Sequence, residues 1–292
     1  MQIVTLKNAH LHAQVLPAIG GGLARLDALG GGAPRALLRG CALPAGAPDP
    51  TPSQLACFPL VPWSNRIGNG GFTFNGRRIE LTPNRAGEPC PIHGEGWQQA
   101  WSVERCSATS VELLLERRGR QPFSYEARMR YKLLGTTLEV TLEVSNHGDA
   151  TMPFGLGLHP WMPRTGGVLL RAAAQTCWER GADGLPAAPI AIPPEWDFSA
   201  PRRLPEGGID NVFSGWDGEA EIIWPESGQR LLIRADMDYF IVYTRLGADF
   251  FCFEPVDHMI NAHNLAGGPA QHGLSLLAPG QSLARTVSFQ GA

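Results

Sequence analysis

Five short stretches set ionisable side chains among glycine, proline and aromatic residues. They are Trp63-Ser64-Asn65-Arg66-Ile67, Pro91-Ile92-His93-Gly94-Glu95-Gly96-Trp97, Gly157-Leu158-His159-Pro160-Trp161, Ile209-Asp210-Asn211-Val212-Phe213-Ser214-Gly215-Trp216 and Phe251-Cys252-Phe253-Glu254-Pro255-Val256-Asp257-His258. Stretches of this character commonly form sites, in loops at the ends of strands. Imidazoles and carboxylates move protons near neutral pH, and the same groups ligate metals. The metal pattern is weak: there is no H-E-x-x-H, and His258 and His263 are five apart in a loop-like stretch. Taken singly, each stretch also has an ordinary reading. His-Pro and Glu-Pro occur at strand ends, Arg66 can pair with a surface carboxylate, and His93 can be a hydrogen-bonded structural residue.

The elements that must position these groups read as strands. The 35 glycines and 25 prolines are spread throughout the chain, which disfavours long helices. Ala127, Met129, Tyr131 and Leu133 alternate with Glu126, Arg128, Arg130 and Lys132. Leu138, Val140, Leu142 and Val144 alternate in the same way with Thr137, Glu139, Thr141 and Glu143. Each set predicts a strand with one buried and one wet face. Leu134-Gly135-Thr136 predicts the turn between them, and Phe72 to Ile79 a second hairpin through Asn75-Gly76, a pair suited to a type I′ turn. Further strands are predicted at Gln2 to Leu6, Leu11 to Val15, Val111 to Glu116, Leu231 to Ala235, Tyr239 to Thr244, Phe250 to Phe253 and Thr286 to Phe289. Ala42 to Pro52 and Gly181 to Pro194 read as long surface loops. With no repeat and no linker-like break, residues 1–292 read as a single all-β domain, a large antiparallel sandwich.

Composition narrows the partners. Lysines and arginines (24) nearly balance aspartates and glutamates (27), for a net charge of −3, and no basic run marks a nucleic-acid or anionic-membrane surface. No apolar run reaches spanning length and the N-terminus lacks the features of a signal peptide, so a cytoplasmic protein is expected. The six scattered cysteines form no C-x-x-C pair and read as buried or idle thiols. Gly20-Gly21-Gly22 lacks the spacing and following helix of a nucleotide site.

In chain order, seven motifs together resemble the aldose 1-epimerase family. They are Asn65-Arg66-Ile67 with Gly70-Gly71-Phe72, Ile92-His93-Gly94, Gly157-Leu158-His159-Pro160, Asp210-Asn211-Val212-Phe213, Phe253-Glu254-Pro255, Asn261-Ala262-His263-Asn264 and Leu277-Ala278-Pro279-Gly280. The resemblance runs from about Gly20 to the C-terminal strand. It implies a galactose-mutarotase-like β-sandwich, or supersandwich, with a free sugar bound across one sheet. It further implies Glu254 as general base, His159 as general acid, and Arg66, His93 and Asp210, with Asn65 beside them, as holders of the sugar hydroxyls. The chain has Trp161-Met162 where the family has tyrosine and phenylalanine, and Gly94-Glu95-Gly96 in place of a more glycine-rich run. These departures leave the sugar identity open.

The implied reaction opens the hemiacetal ring, rotates about C1–C2 and recloses on the other carbonyl face. One proton leaves the C1 hydroxyl while another reaches the ring oxygen, which a carboxylate and an imidazole can accomplish without cofactor or metal. An imidazolium is expected at His159, favoured by carboxylates such as Asp210, and Trp161 is expected against the apolar face of the sugar. A non-catalytic sugar-binding domain and a hexose-6-phosphate epimerase using Arg85, Arg164 or Arg180 are the alternatives. Either a monomer or a homodimer is compatible with the chain.

Overall fold

The computed structural model describes residues 2–30 and 32–291. Among these residues the strands pair antiparallel into two large sheets and three smaller ones. The larger sheet has nine strands. It is built around Tyr125–Leu134, Thr137–Asn146 and Ser282–Gly291, and runs through Gln229–Ala235 and Glu219–Trp224 on one side and Ser110–Arg117 on the other. The second sheet places Thr176–Arg180, Ile209–Ser214, Tyr239–Thr244, Phe250–Val256, Gly157–Leu158 and Pro59–Leu60 side by side, with Trp161–Pro163 also on Phe250–Val256. A four-stranded N-terminal sheet contains Val4–Lys7, Leu11–Leu16 and Gly22–Ala28.

Period-two patterning explains how the two large sheets share a core. Tyr131, Leu138, Val140 and Phe289 from one sheet and Phe213, Phe240, Phe251 and Phe253 from the other belong to one continuous buried cluster. Burying each such side chain contributes about 1.5–3 kcal/mol. The alternate residues of the second sheet therefore face away from that core. Val212, Ile241 and Val256 join a separate apolar cluster with Phe58, Ile92 and Trp97. Cys252 and Glu254 lie on this same side, alternating in sequence with the core residues Phe251 and Phe253.

The predicted hairpins form. Leu134 pairs with Thr137 around Gly135-Thr136, and Phe74 pairs with Arg77 around Asn75 and Gly76, whose φ angles of +49° and +74° fit the type I′ turn. Tyr239–Thr244 has the predicted limits, and Phe250–Val256 runs three residues further than expected. Two expectations fail. Within the segment expected as a loop, Pro186–Ile190 pairs with Thr176–Arg180 as the edge strand, a place where proline costs no ladder bond. Glu126, assigned to the wet face, is buried, because Arg118 and Arg128 both bond its carboxylate.

Gly94 adjoins His93 and shows how closely the chain approaches itself here. Its φ is +63°, and a Cβ would stand 2.0 Å from the Val61 carbonyl oxygen. Gly94→Ala is expected to cost at least about 2 kcal/mol by combining left-handed strain with displacement of that backbone. Gly166→Ala, whose methyl meets open space, is expected to stay within about 0.5 kcal/mol. Denaturant midpoints of the two variants check the difference, and equal stabilities would refute it.

Candidate active site

Sheet register brings the chemistry together. Gly157 pairs with Val256 and Trp161 with Cys252, so His159 stands across from Glu254. On the other flank Glu254 pairs with Ile241, Cys252 with Tyr243, and Tyr243 with Asp210. His159, Trp161, Cys252, Glu254, Tyr243 and Asp210 thus occupy one face of the sheet, two residues apart along each strand. Glu254 and Asp210 lie within strands and His159 directly follows one, a more rigid placement than loop ends.

Loops supply the opposite wall. Asn65 and His93 both adopt left-handed backbone, with φ of +52° and +64°, a conformation uncommon for residues other than glycine and concentrated at functional sites. The two brace each other: the His93 amide donates to the Asn65 carbonyl (2.9 Å), and the Asn65 amide donates to His93 Nδ1 (3.2 Å). His93 therefore carries its proton on Nε2. Asn65 Oδ1 accepts from the Arg66 amide at 2.9 Å. The Arg66 guanidinium donates twice to Glu88, at 2.8 and 3.0 Å, which fixes it as a planar fork.

All six residues selected from the sequence, Asn65, Arg66, His93, His159, Asp210 and Glu254, line one open cavity of about 310 Å³, at the small end of ligand sites. Phe58, Glu88 and Tyr243 line it too and were not anticipated. Arg85 also lines it, with no ion-pair partner among the described residues, whereas Arg164 bonds the Pro205 and Arg245 carbonyls outside it.

His159 Nε2 is 3.3 Å from Glu254 Oε1. The imidazole is held by rings: Phe58 at 4.6 Å and 31°, Trp161 at 5.1 Å and 15°, and His93 edge-on at 5.2 Å. Its Nδ1 and the second carboxylate oxygen of Glu254 are buried without hydrogen-bond partners among the described residues, an arrangement that costs free energy. Burial raises the Glu254 carboxyl well above its usual range, with Asp210 adding to the effect and Arg66 opposing it. Burial lowers the His159 imidazole to about 3, aided by Arg85 and Arg39. Burial thus favours the neutral imidazole and the protonated carboxyl, the form in which the pair carries no net charge.

One expectation is corrected here. Asp210 does not sustain an imidazolium at His159, because its carboxylate is engaged by Arg180 at 3.0 Å and burial dominates the histidine. Trp161 lines the cavity, with its ring stacked on His159, under the Arg39 guanidinium (4.1 Å to the ring centre) and edge-on to Phe250. The His258 and His263 pair is structural: His258 Nε2 accepts from the Ser64 amide at 2.8 Å, and His263 is buried against Phe72.

The family model described as aldose 1-epimerase matches residues 2–290. The chain belongs to the aldose 1-epimerase family. The uncharacterized protein YphB of Escherichia coli K12 is 33% identical over 248 residues, which cover 82% of this chain and 84% of YphB. YihR, a second uncharacterized protein of the same organism, is 30% identical over 165 residues, covering 55% of this chain and 50% of YihR. Among solved structures, that of a candidate aldose 1-epimerase from Escherichia coli K12 superposes with a TM-score of 0.90 at 30% identity, covering 100% of this chain and 99% of the other. A GalM/aldose epimerase homologue from C. elegans gives 0.84 at 18% identity, covering 100% and 98%, and so shares the fold. The antiparallel all-β architecture is thus the galactose-mutarotase-like one.

The buried titratable groups of this epimerase-family fold set its response to pH. Burial lowers His258 to about 4, and His93 and His263 well below 6.5, alongside His159. It raises Asp257 to about 7, alongside Glu254. Below about pH 6.5 the unfolded histidines take up protons that the folded ones refuse, so acidification favours unfolding. The two carboxyls act oppositely: above about pH 4 the unfolded chain releases protons that the folded chain retains, so rising pH favours unfolding. Four imidazoles outweigh two carboxyls on the acid side, and only the carboxyl effect persists above it. Stability is expected to rise from about pH 5 to about pH 6.5 and to gain little or nothing further towards about pH 8. Urea midpoints at the three values check this, and greatest stability at the lowest pH would contradict it.

Proposed function

We propose that the protein is an aldose 1-epimerase that interconverts the α and β anomers of a free sugar. The observation that carries the reading is the cross-strand pair His159 and Glu254, 3.3 Å apart and buried, at the floor of the cavity that Asn65, Arg66, His93 and Asp210 also line.

On this reading the proton held by Glu254 crosses to His159 when a sugar enters, leaving a carboxylate and an imidazolium. Hydrogen bonds from the sugar hydroxyls to the carboxylate favour that charged form. Glu254 then takes the proton from the C1 hydroxyl. The C1–O5 bond breaks with its electron pair going to the ring oxygen, and His159 delivers a proton there. The open aldehyde rotates about C1–C2, and closure on the other face reverses both transfers. His93 Nε2–H and the Arg66 fork donate to ring hydroxyls, while Asp210 accepts from one. This chemistry needs no cofactor. Each positioned transfer contributes roughly 10²–10⁴-fold, sufficient for a reaction that also proceeds unaided in water.

Polarimetry or NMR on freshly dissolved α-sugars tests the proposal. The panel comprises galactose, glucose, arabinose and fucose, together with hexose 6-phosphates, because Arg85 lines the same cavity. Glu254→Gln and His159→Asn are each expected to slow catalysed exchange at least about a hundredfold. Wild-type protein that leaves exchange at the spontaneous rate across the panel would overturn the function. Near-normal turnover in either variant would overturn that residue's role.

A further inference from the structure

Cys252 is two residues from Glu254 on the same strand, pairs across the sheet with Trp161, and is fully buried. The proton-transfer chemistry makes no use of its thiol. One donor atom from each of His159, Cys252 and Glu254 lies within 4.8 Å of the other two. Two of these side chains also carry buried polar atoms without partners, His159 Nδ1 and Glu254 Oε2, on residues only 7% and 3% exposed.

We propose that His159, Cys252 and Glu254 form a three-donor site for a borderline-soft dication such as zinc, and that the ion bound there silences sugar turnover by occupying the proton-transfer pair. A tetrahedral zinc with bonds of about 2.0–2.2 Å to nitrogen and oxygen sets those donors about 3.3 Å apart, and a sulfur at about 2.3 Å stands about 3.6 Å from either. The His159 Nε2 to Glu254 Oε1 distance is already 3.3 Å. The thiol, within 4.8 Å of both other donors, needs to approach by at most about 1.2 Å, a side-chain adjustment.

The charges balance as well. Burial pushes the Cys252 thiol and the Glu254 carboxyl above their usual ranges and the His159 imidazole below its own. Binding a dication releases one proton from the thiol and one from the carboxyl to solvent, leaving an uncharged complex of thiolate, carboxylate and imidazole. Sulfur and imidazole ligands favour zinc, cadmium or cobalt over magnesium and calcium, which prefer oxygen-only sites. The ion enters through the cavity, which His159 and Glu254 line, and its fourth position holds water or a sugar oxygen.

The inhibition rests on the epimerase reading, whereas binding does not, so the two are measured separately. Metal-free full-length protein is titrated with cobalt(II) while the thiolate-to-cobalt charge-transfer absorption is followed. One saturating ion per chain is expected, with the band lost in both Cys252→Ser and Cys252→Ala, weakened in His159→Asn, and suppressed by excess free sugar. Both Cys252 variants are expected to keep their anomerisation rate, while the zinc concentration for half-inhibition rises at least about tenfold. Magnesium is expected to leave wild-type turnover unchanged. No saturable band in the wild type, or an undiminished band in both Cys252 variants, would overturn the proposal. A Cys252-dependent band in protein inert towards every sugar would support the metal site and reject the epimerase function, and an active protein with no band would reject the metal site alone.

Discussion

The register of Phe250–Val256 against its two neighbours is the constraint on which the site depends. A strand alternates faces at every residue, so a slip of one position would turn Glu254 into the core and Phe253 into the cleft. Phe251 and Phe253 prevent this because both are completely buried in the cluster shared by the two large sheets. Apolar packing on one face thereby fixes a carboxyl on the other. The same register sets His159 opposite Glu254 from a strand far away in sequence, so the proton-transfer distance is a property of the sheet.

The loops that complete the cleft are positioned differently. Left-handed conformations at Asn65 and His93 each cost of order 1–3 kcal/mol, and reciprocal bonds between the two residues, with the Arg66 amide on Asn65 Oδ1, offset part of that cost. Unpartnered atoms on His159 and Glu254 add desolvation without compensation. The cleft is therefore the place where the chain departs from local preference, and the large shared core tolerates it.

Features encoded over short distances were legible in the sequence. Alternation marked Tyr125–Leu134 and Thr137–Asn146, Asn75-Gly76 marked its turn, and the six site residues Asn65, Arg66, His93, His159, Asp210 and Glu254 all reached one cavity. What escaped needs knowledge of which strands are neighbours. Phe58 touches His159 because the chain near Leu60 pairs beside Gly157, and nothing local to Phe58 announces it. The Arg180 partner of Asp210 sits on the adjacent strand beside a proline-containing edge strand that read as a loop. Cys252 looked idle because a thiol acquires chemistry only from what the fold sets next to it.

Charge in the cleft is balanced pair by pair. Glu88 answers Arg66, Arg180 answers Asp210, and burial favours the uncharged form of the His159–Glu254 pair. Only Arg85, exposed at the rim, lacks a carboxylate partner among the described residues. A site balanced this way offers oriented donors and acceptors with little net field, which suits an uncharged polyhydroxy ligand. On the epimerase reading the balance also has a kinetic consequence. Moving a proton from Glu254 to His159 creates two charges where there were none, and the dry interior opposes that separation until sugar hydroxyls bond the carboxylate. Binding and activation are then one event: the ligand that needs the proton moved is also the one that makes moving it favourable.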